Sequence, residues 1–309
     1  MIKGKKIAVV IPCYCVRNTI LKVIEHIPDF VDSIICVDDN CPEKSGEFVN
    51  NNLINSRIRV IFNDRNLGVG GAVIHGIKYC LSNSLGDVII KIDGDGQMDP
   101  GLIPVFISPI IDDNCDYTKG NRFSSRENLQ EMPLIRMAGN FILSYINKIC
   151  SGYWDLFDPT NGYIACSSRI LQKLDFSSIS TRYFFESDML FHLHNLEARI
   201  CDIPMKASYG SEKSHLNAFS SIATFSYHHA LNFARRIFLM IRKKTLSAES
   251  ILAVLTVCCF TGMIIMVATG SESNNICAGL LLSLVFMVFF IFFDIRNYRK
   301  KFHVRRTAK

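Results

Sequence analysis

The run Val88-Ile-Ile-Lys91-Ile-Asp93-Gly94-Asp95-Gly96-Gln97-Met98-Asp99-Pro100 decides how the chain is read. A short apolar strand delivers two carboxylates, one residue apart, into a glycine turn. Hard divalent ions take oxygen ligands, and Mg²⁺ commonly accepts one or two carboxylates alongside substrate phosphates. An Asp-x-Asp at a strand end supplies that pair without closing the coordination shell. An EF-hand loop does not fit, because Gln97 stands at its fifth position and Met98 where it requires Gly.

Outward from this run, short β-branched segments alternate with helix-length ones. Ile7–Ile11, Ser33–Val37, Ile58–Phe62, Asp87–Ile92 and Asp116–Lys119 are expected as strands. Arg17–Ile27, Val69–Leu81, Leu134–Ile149 and Phe184–Asn195 are expected as helices. Such alternation predicts an α/β fold built on a parallel sheet, with ligands beyond the carboxyl ends of the strands. Acidic pairs and glycines stand at those ends. The twelve cysteines contain no Cys-x-x-Cys pair, so they are expected as reduced core thiols, not zinc ligands.

The mean hydropathy of +0.21 is high for a water-soluble enzyme, and its source lies near the carboxyl end. Ile251–Thr269 and Ile276–Phe293 carry no charged residue over 19 and 18 positions. A membrane-spanning helix needs about 20 apolar residues, with a range near 17–25. The second run is apolar on nearly every face, without the polar stripe of a soluble helix. With only Gly270–Asn275 between them, the two runs predict a helical hairpin. Arg235, Arg236, Arg242, Lys243 and Lys244 precede it. Arg296, Arg299, Lys300, Lys301, Arg305, Arg306 and Lys309 follow it, and the loop holds only Glu272. The positive-inside rule then puts both termini and everything before the hairpin on the cytoplasmic side of an inner membrane. These clusters account for much of the +6 net charge and point to anionic lipid, not nucleic acid. Lys3, Lys5 and Lys6 precede an apolar run too short for a signal peptide. The expected organisation is a catalytic domain over 1–215, amphipathic interface helices over 216–247, the hairpin over 248–295 and a basic tail over 296–309.

Two further segments carry polar chemistry. Cys36-Val37-Asp38-Asp39-Asn40-Cys41-Pro42 ends a strand in adjacent acids, which could accept hydrogen bonds from ribose or base, or cap the next helix. Asn66-Leu67-Gly68-Val69-Gly70-Gly71 has the glycine density of a phosphate cradle. It lacks the Gly-Lys-Ser/Thr of a P-loop, and close packing of a helix on the sheet suits its glycines better.

Taken in order, Ile11-Pro12-Cys13-Tyr14, Val37-Asp38-Asp39, Asn66-Leu67-Gly68 and Asp93-Gly94-Asp95 resemble the family-2 glycosyltransferases of GT-A fold. The nearest branch is that of the polyprenyl-phosphate sugar transferases, typified by dolichyl-phosphate mannose synthase. The resemblance spans roughly residues 5–210. It implies a nucleotide-sugar donor, UDP- or GDP-linked, held by Pro12, Tyr14, Asp38, Asp39, Asn66, Gly68, Asp93 and Gly94. It implies Mg²⁺ or Mn²⁺ on Asp93, Asp95 and Gln97, with Asp95 catalytic. Gly120-Asn121-Arg122 and Arg136 match the arginines that hold phosphate groups of donor or lipid. Asp158-Pro-Thr-Asn161-Gly162-Tyr163 resembles the segment closing the acceptor side. The chain departs from the family with Cys15 for Asn, and with Asn40-Cys41 for Gly-Ser after the acids.

Phe184-Phe185-Glu186-Ser187-Asp188 offers two candidate bases, Glu186 and Asp188. A sugar hydroxyl needs a general base, whereas a lipid phosphate is already anionic at neutral pH. Lys213 and His215 are expected to help seat phosphates. The leading expectation is an inverting, metal-dependent transferase acting on an undecaprenyl-type phosphate. The alternatives are a membrane-anchored transferase extending a lipid-linked glycan with Asp188 as base, and a non-catalytic membrane scaffold of the same fold. A homo-oligomer is compatible with the sequence.

Overall fold

The computed structural model describes residues 1–124, 134–206, 218–242, 247–270 and 273–307. It divides into two units. The first comprises Met1–Asn147 with Asp155–Phe225, and the second Lys148–Trp154 with Ser226–Lys309.

The first unit is a seven-stranded sheet. Its strands are β1 (Ile7–Cys13), β2 (Ser33–Asp38), β3 (Ile58–Phe62), β4 (Val88–Lys91), β5 (Tyr117–Asn121), β6 (Ile164–Ser167) and β7 (Ile200–Pro204). They lie in the order β3-β2-β1-β4-β6-β5-β7. All neighbours are parallel except that β6 runs antiparallel to β4 and β5. The wholly parallel sheet expected from the alternation is thus corrected to a mixed one. Strand β6 is only four residues, Ile-Ala-Cys-Ser, too short for its period to stand out.

The helices of this unit are α1 (Ile20–Glu25), α2 (Ser45–Asn52), α3 (Val69–Ser82), α4 (Ile103–Ile111), α5 (Leu134–Ser151), α6 (Ser168–Leu171) and α7 (Phe185–Asn195). The last turn of α5 belongs to the second unit. Helix α1 is shorter than expected because Val16 to Thr19 form a turn, with Thr19 bonded to the Gly94 carbonyl at 2.7 Å. Alternate residues of the central strands pack on opposite faces. Ile7, Val9, Ile11, Val88, Ile90 and Ile92 join Ile20, Ile24, Phe106 and Ile107 in one core. Val10 and Val37 face α3, where Gly76 lets the backbones approach. A Cβ at Gly76 would overlap a Val10 methyl and lie 3.0 Å from Val37. Lys91, offset by one from Ile90 and Ile92, emerges on this second face.

The second unit contains α8 (Ala218–Arg242) from Ser226 on, α9 (Ala248–Ala268) and α10 (Ser273–Thr307). Helices α9 and α10 are long and apolar enough to cross a membrane. Ile251, Leu255, Phe260, Ile264, Leu281, Leu284, Val288 and Phe292 are exposed along them. The basic tail is expected as a separate segment, but it continues α10 without a break through Thr307. Buried within this unit, Arg236 makes a two-pronged ion pair with Asp294 at 2.7 and 2.9 Å, and Trp154 donates to the same carboxylate at 2.8 Å.

Candidate active site

Strand β4 continues through Ile92, whose N–H bonds Val10 at 3.1 Å, and releases the chain at Asp93. The turn is set by sterics and by short-range hydrogen bonds. A Cβ on Gly94 would sit 3.1–3.4 Å from Val16, Ile20 and Ile11, and Gly96 has φ +80°. Asp95 accepts the Gln97 N–H at 2.9 Å and Asp99 the Gly101 N–H at 2.8 Å. Asp93 and Asp95 remain partly exposed. Two hard oxygen donors at a strand end, open toward solvent, fit an Mg²⁺- or Mn²⁺-type ion that completes its shell on phosphate and water. Among the described residues no cluster of three metal-binding side chains exists, so the remaining ligands of such an ion would have to come from outside the acidic set. Gln97 lies partly buried in the same turn.

Behind the turn stands Lys91, 2% exposed, with its ammonium 2.7 Å from Asp93 and 3.5 Å from Glu186. Burial alone would lower its pKa, but the charges of Asp93 and Glu186 outweigh it and hold the amine above its ordinary value. Gly162 leaves room for this group. A Cβ there would overlap the Lys91 ammonium and lie 2.9 Å from Asp93. Asp188, one turn from the start of α7, accepts the Ser180 N–H at 2.7 Å and lies 3.8 Å from His192. Both carboxylates are buried. Lys91 thus links Glu186 to Asp93, whereas Asp188 is bonded to the loop before α7.

The acids at the end of β2 bind backbone. Asp38 accepts the N–H groups of Cys41 and Gly46 at 2.7 and 2.6 Å, which anchors the turn into α2. Asp39 accepts from Leu67 and Gly68 at 2.8 Å each and from the Asn63 amide at 2.6 Å. It therefore shapes the Asn66–Gly68 turn, where Gly68 takes φ +86°. Arg182 covers that turn, donating to Asn66 at 2.8 Å. Pro12 lies within β1, and Tyr14 just beyond it is 49% exposed.

On the far side of β6, Arg122 makes a bidentate pair with buried Asp158, at 2.7 and 2.9 Å. Lys119 is fully buried, donates to the Asn161 carbonyl, and is pushed down by burial to about 8. Lys91 and Lys119 both pair with Ile164, from opposite sides of β6. Arg136 lies in the first turn of α5, and its side chain is outside the described set. Lys213 and His215 fall outside the described residues.

Lys91, Lys119, Asp158 as the partner of Arg122, and Arg182 were not among the expected site residues. A signal existed for Lys91, since a charge inside an otherwise apolar four-residue strand must find a counter-charge. Asp202 is a further, half-buried acid, raised by desolvation to about 6 despite bonds from Phe157 and Asn121. A carboxyl whose folded pKa is raised stabilises most below its ordinary value near 4 and loses that contribution as pH rises through about 6. Asp202→Asn is therefore expected to match the parent near pH 4 and to be more stable by about 2–3 kcal/mol above about pH 7. Thermal unfolding at the two pH values checks this.

Residues 8–175 match the family model described as "Glycosyl transferase family 2". The chain is 31% identical over 219 residues to the UDP-N-acetylglucosamine--dolichyl-phosphate N-acetylglucosaminyltransferase of Methanococcus voltae, covering 66% of this chain and 86% of that one. It is 25% identical over 193 residues to the dolichol-phosphate mannosyltransferase of Pyrococcus furiosus, covering 59% and 51%. Among solved structures, glucosyl-3-phosphoglycerate synthase from Mycobacterium tuberculosis, in complex with Mn²⁺, UDP and glucosyl-3-phosphoglycerate, aligns with a TM-score of 0.56 at 18% identity. That alignment covers 75% of this chain and 80% of that one, and at this identity it speaks to the fold alone.

Proposed function

The chain belongs to glycosyl transferase family 2, and from that premise we propose that it moves a sugar, with inversion, from a UDP- or GDP-linked donor to a polyprenyl phosphate at the cytoplasmic face of a membrane. The observation that carries the choice of acceptor is the state of the two candidate bases. Glu186 is held by Lys91, and Asp188 is held by the Ser180 N–H. Both are buried and already engaged, which disfavours them as bases that reach a sugar hydroxyl. A phosphate monoester is anionic at neutral pH and attacks without such help. The names of the Methanococcus and Pyrococcus relatives, both of them lipid-phosphate sugar transferases, support the same reading.

In this reading the donor lies across the carboxyl ends of β1, β2 and β4. Tyr14 is exposed there, and the Asn66–Gly68 turn is held in shape by Asp39. Asp93, Asp95 and Gln97 would hold a divalent ion, which when bound neutralises the departing diphosphate. Arg122 keeps its cation at the acceptor side, aimed by Asp158, where it can meet a lipid phosphate. Helices α9 and α10, with their outward apolar side chains, hold the chain in the bilayer as a two-pass anchor. The basic residues before and after them stay cytoplasmic.

Asp188→Asn separates this proposal from the hydroxyl-acceptor alternative. The asparagine retains an oxygen for the Ser180 N–H, so the loop is preserved. Under the lipid-phosphate reading kcat is expected to fall less than about tenfold, whereas loss of a general base costs about 10²–10⁴-fold. A loss in that larger range, with unchanged thermal stability, would move the assignment to a hydroxyl acceptor.

A further inference from the structure

The metal and donor chemistry proposed above uses Asp93 and Asp95 but leaves unexplained why a lysine is buried behind them. Lys91 stands in the middle of the sheet, paired with Val10 of β1 on one side and Ile164 of β6 on the other. Its ammonium reaches the Asp93 carboxylate at 2.7 Å and Glu186 at 3.5 Å. At 2% exposure it cannot extend to a substrate. The space it occupies exists only because residue 162 is glycine.

We propose that Lys91 is a positioning residue for the ion and diphosphate. It fixes the Asp93 carboxylate at the strand end and, with Glu186, sets the charge that the site presents. This rests on the divalent-ion reading above. Asp93, Asp95 and Glu186 carry three negative charges, and Lys91 reduces the sum to two, which one divalent cation balances. A cation behind a ligand also has an electrostatic cost. At close range it repels the ion, so its presence is explained only if the orientation it gives Asp93 is worth more than the repulsion. Partners behind a metal ligand orient it, and their loss typically costs about 10–100-fold in metal affinity or activity.

The single variant Lys91→Met would leave Glu186 buried without its counter-charge and is expected to unfold more readily. The informative variant is Lys91→Met/Glu186→Gln. It removes one positive and one negative charge together, so the net charge around the ion stays the same. The glutamine fills the same volume without a buried ion. Because loss of the Lys91 charge also relieves its repulsion of the ion, weaker metal binding in this variant reports the lost orientation of Asp93 and not a change in net charge.

The measurement is a titration of Mn²⁺, followed by the electron paramagnetic resonance of the free ion, into the full chain in detergent. It is made with UDP and, separately, with GDP, beside thermal unfolding of each protein. The expected result is a double variant that unfolds near the parent temperature yet binds Mn²⁺ about tenfold more weakly. Its KM for a nucleotide-sugar donor should rise by a similar factor, more than its kcat falls. A double variant that binds Mn²⁺ as tightly as the parent, with the same KM, would overturn the proposal and reduce Lys91 to a buried ion pair of the sheet. Failure of the parent chain to bind Mn²⁺ with either nucleotide would overturn the divalent-ion reading itself, and the role of Lys91 with it. A KM and an Mn²⁺ affinity that change only in step with a fallen unfolding temperature would likewise count against positioning.

Discussion

Asp95→Asn is expected to lower transfer by about 10²–10³-fold, the loss seen when one preorganised group facing developing charge is removed. The substitution is mild for the fold. The amide oxygen of asparagine can still accept the Gln97 N–H that Asp95 holds at 2.9 Å, so the turn into Asp99 should keep its shape. What disappears is the negative charge at position 95. Asp93→Asn should behave differently. It leaves the Lys91 ammonium with only Glu186, and so combines loss of activity with loss of stability. Steady-state transfer rates beside unfolding temperatures distinguish the two. Equal, full activity of Asp95→Asn would remove Asp95 from the mechanism.

The second large effect is on stability and lies in the other unit. Asp294→Ala is expected to cost about 3–5 kcal/mol, the range for breaking a buried ion pair by removing one partner. Arg236 would keep its charge at 4% exposure, and Trp154 would lose the acceptor of its indole N–H. The two-pronged geometry, the Trp154 bond and the bond from Arg236 to the Ile149 carbonyl satisfy most of the pair's polar atoms, leaving the buried Arg236 Nε without an acceptor among the described residues, and such partners are the condition for a buried ion to be tolerated. Arg236→Met with Asp294→Leu should recover much of the loss, since a packed apolar pair needs no desolvation of charge. Unfolding of the detergent-solubilised chain, followed by limited proteolysis, gives both values. A single variant as stable as the parent would show that the pair is solvated in the native protein.

Much of this architecture was legible in the sequence because burial imposes simple periods. β-branched runs such as Ser33–Val37 could hardly be anything but central strands, and all of β2 is buried. The two uncharged runs after residue 250 announced their helices for the same reason. The antiparallel strand was not legible. Its four residues are framed by Asn161, Gly162 and Ser168, and only pairing with β4 and β5 makes it a strand. Helices α2 and α4 also went unseen. The first opens after Lys44 at φ +53°, which makes no cap bond of its own, its first turn being bound instead by the distant Asp38, and the second begins at Ile103-Pro104.

The candidate site was legible as residue types and not as partnerships. Asp-x-Asp and Asp-Asp stand out in the sequence, but only the fold shows that Asp38 and Asp39 give their oxygens to backbone N–H groups of later turns. These contacts join residues up to 29 positions apart. The pairs Lys91–Glu186 and Arg122–Asp158 span still longer stretches. A charge in sequence is a question, and its answer is whichever element the topology packs against it.

The central claim is that the acceptor is a lipid phosphate, and the bond formed is its most direct test. Membranes carrying the chain are supplied with a polyprenyl phosphate and, in turn, with radiolabelled UDP- and GDP-sugars. The account predicts, with one donor, a label extracted into organic solvent as a glycosyl phosphate lipid. Mild acid should release the sugar and return the lipid monophosphate, and chelation of divalent ions should stop its formation. Label joined instead to the hydroxyl of a preformed lipid-linked glycan, with no glycosyl phosphate formed from any donor, would contradict it.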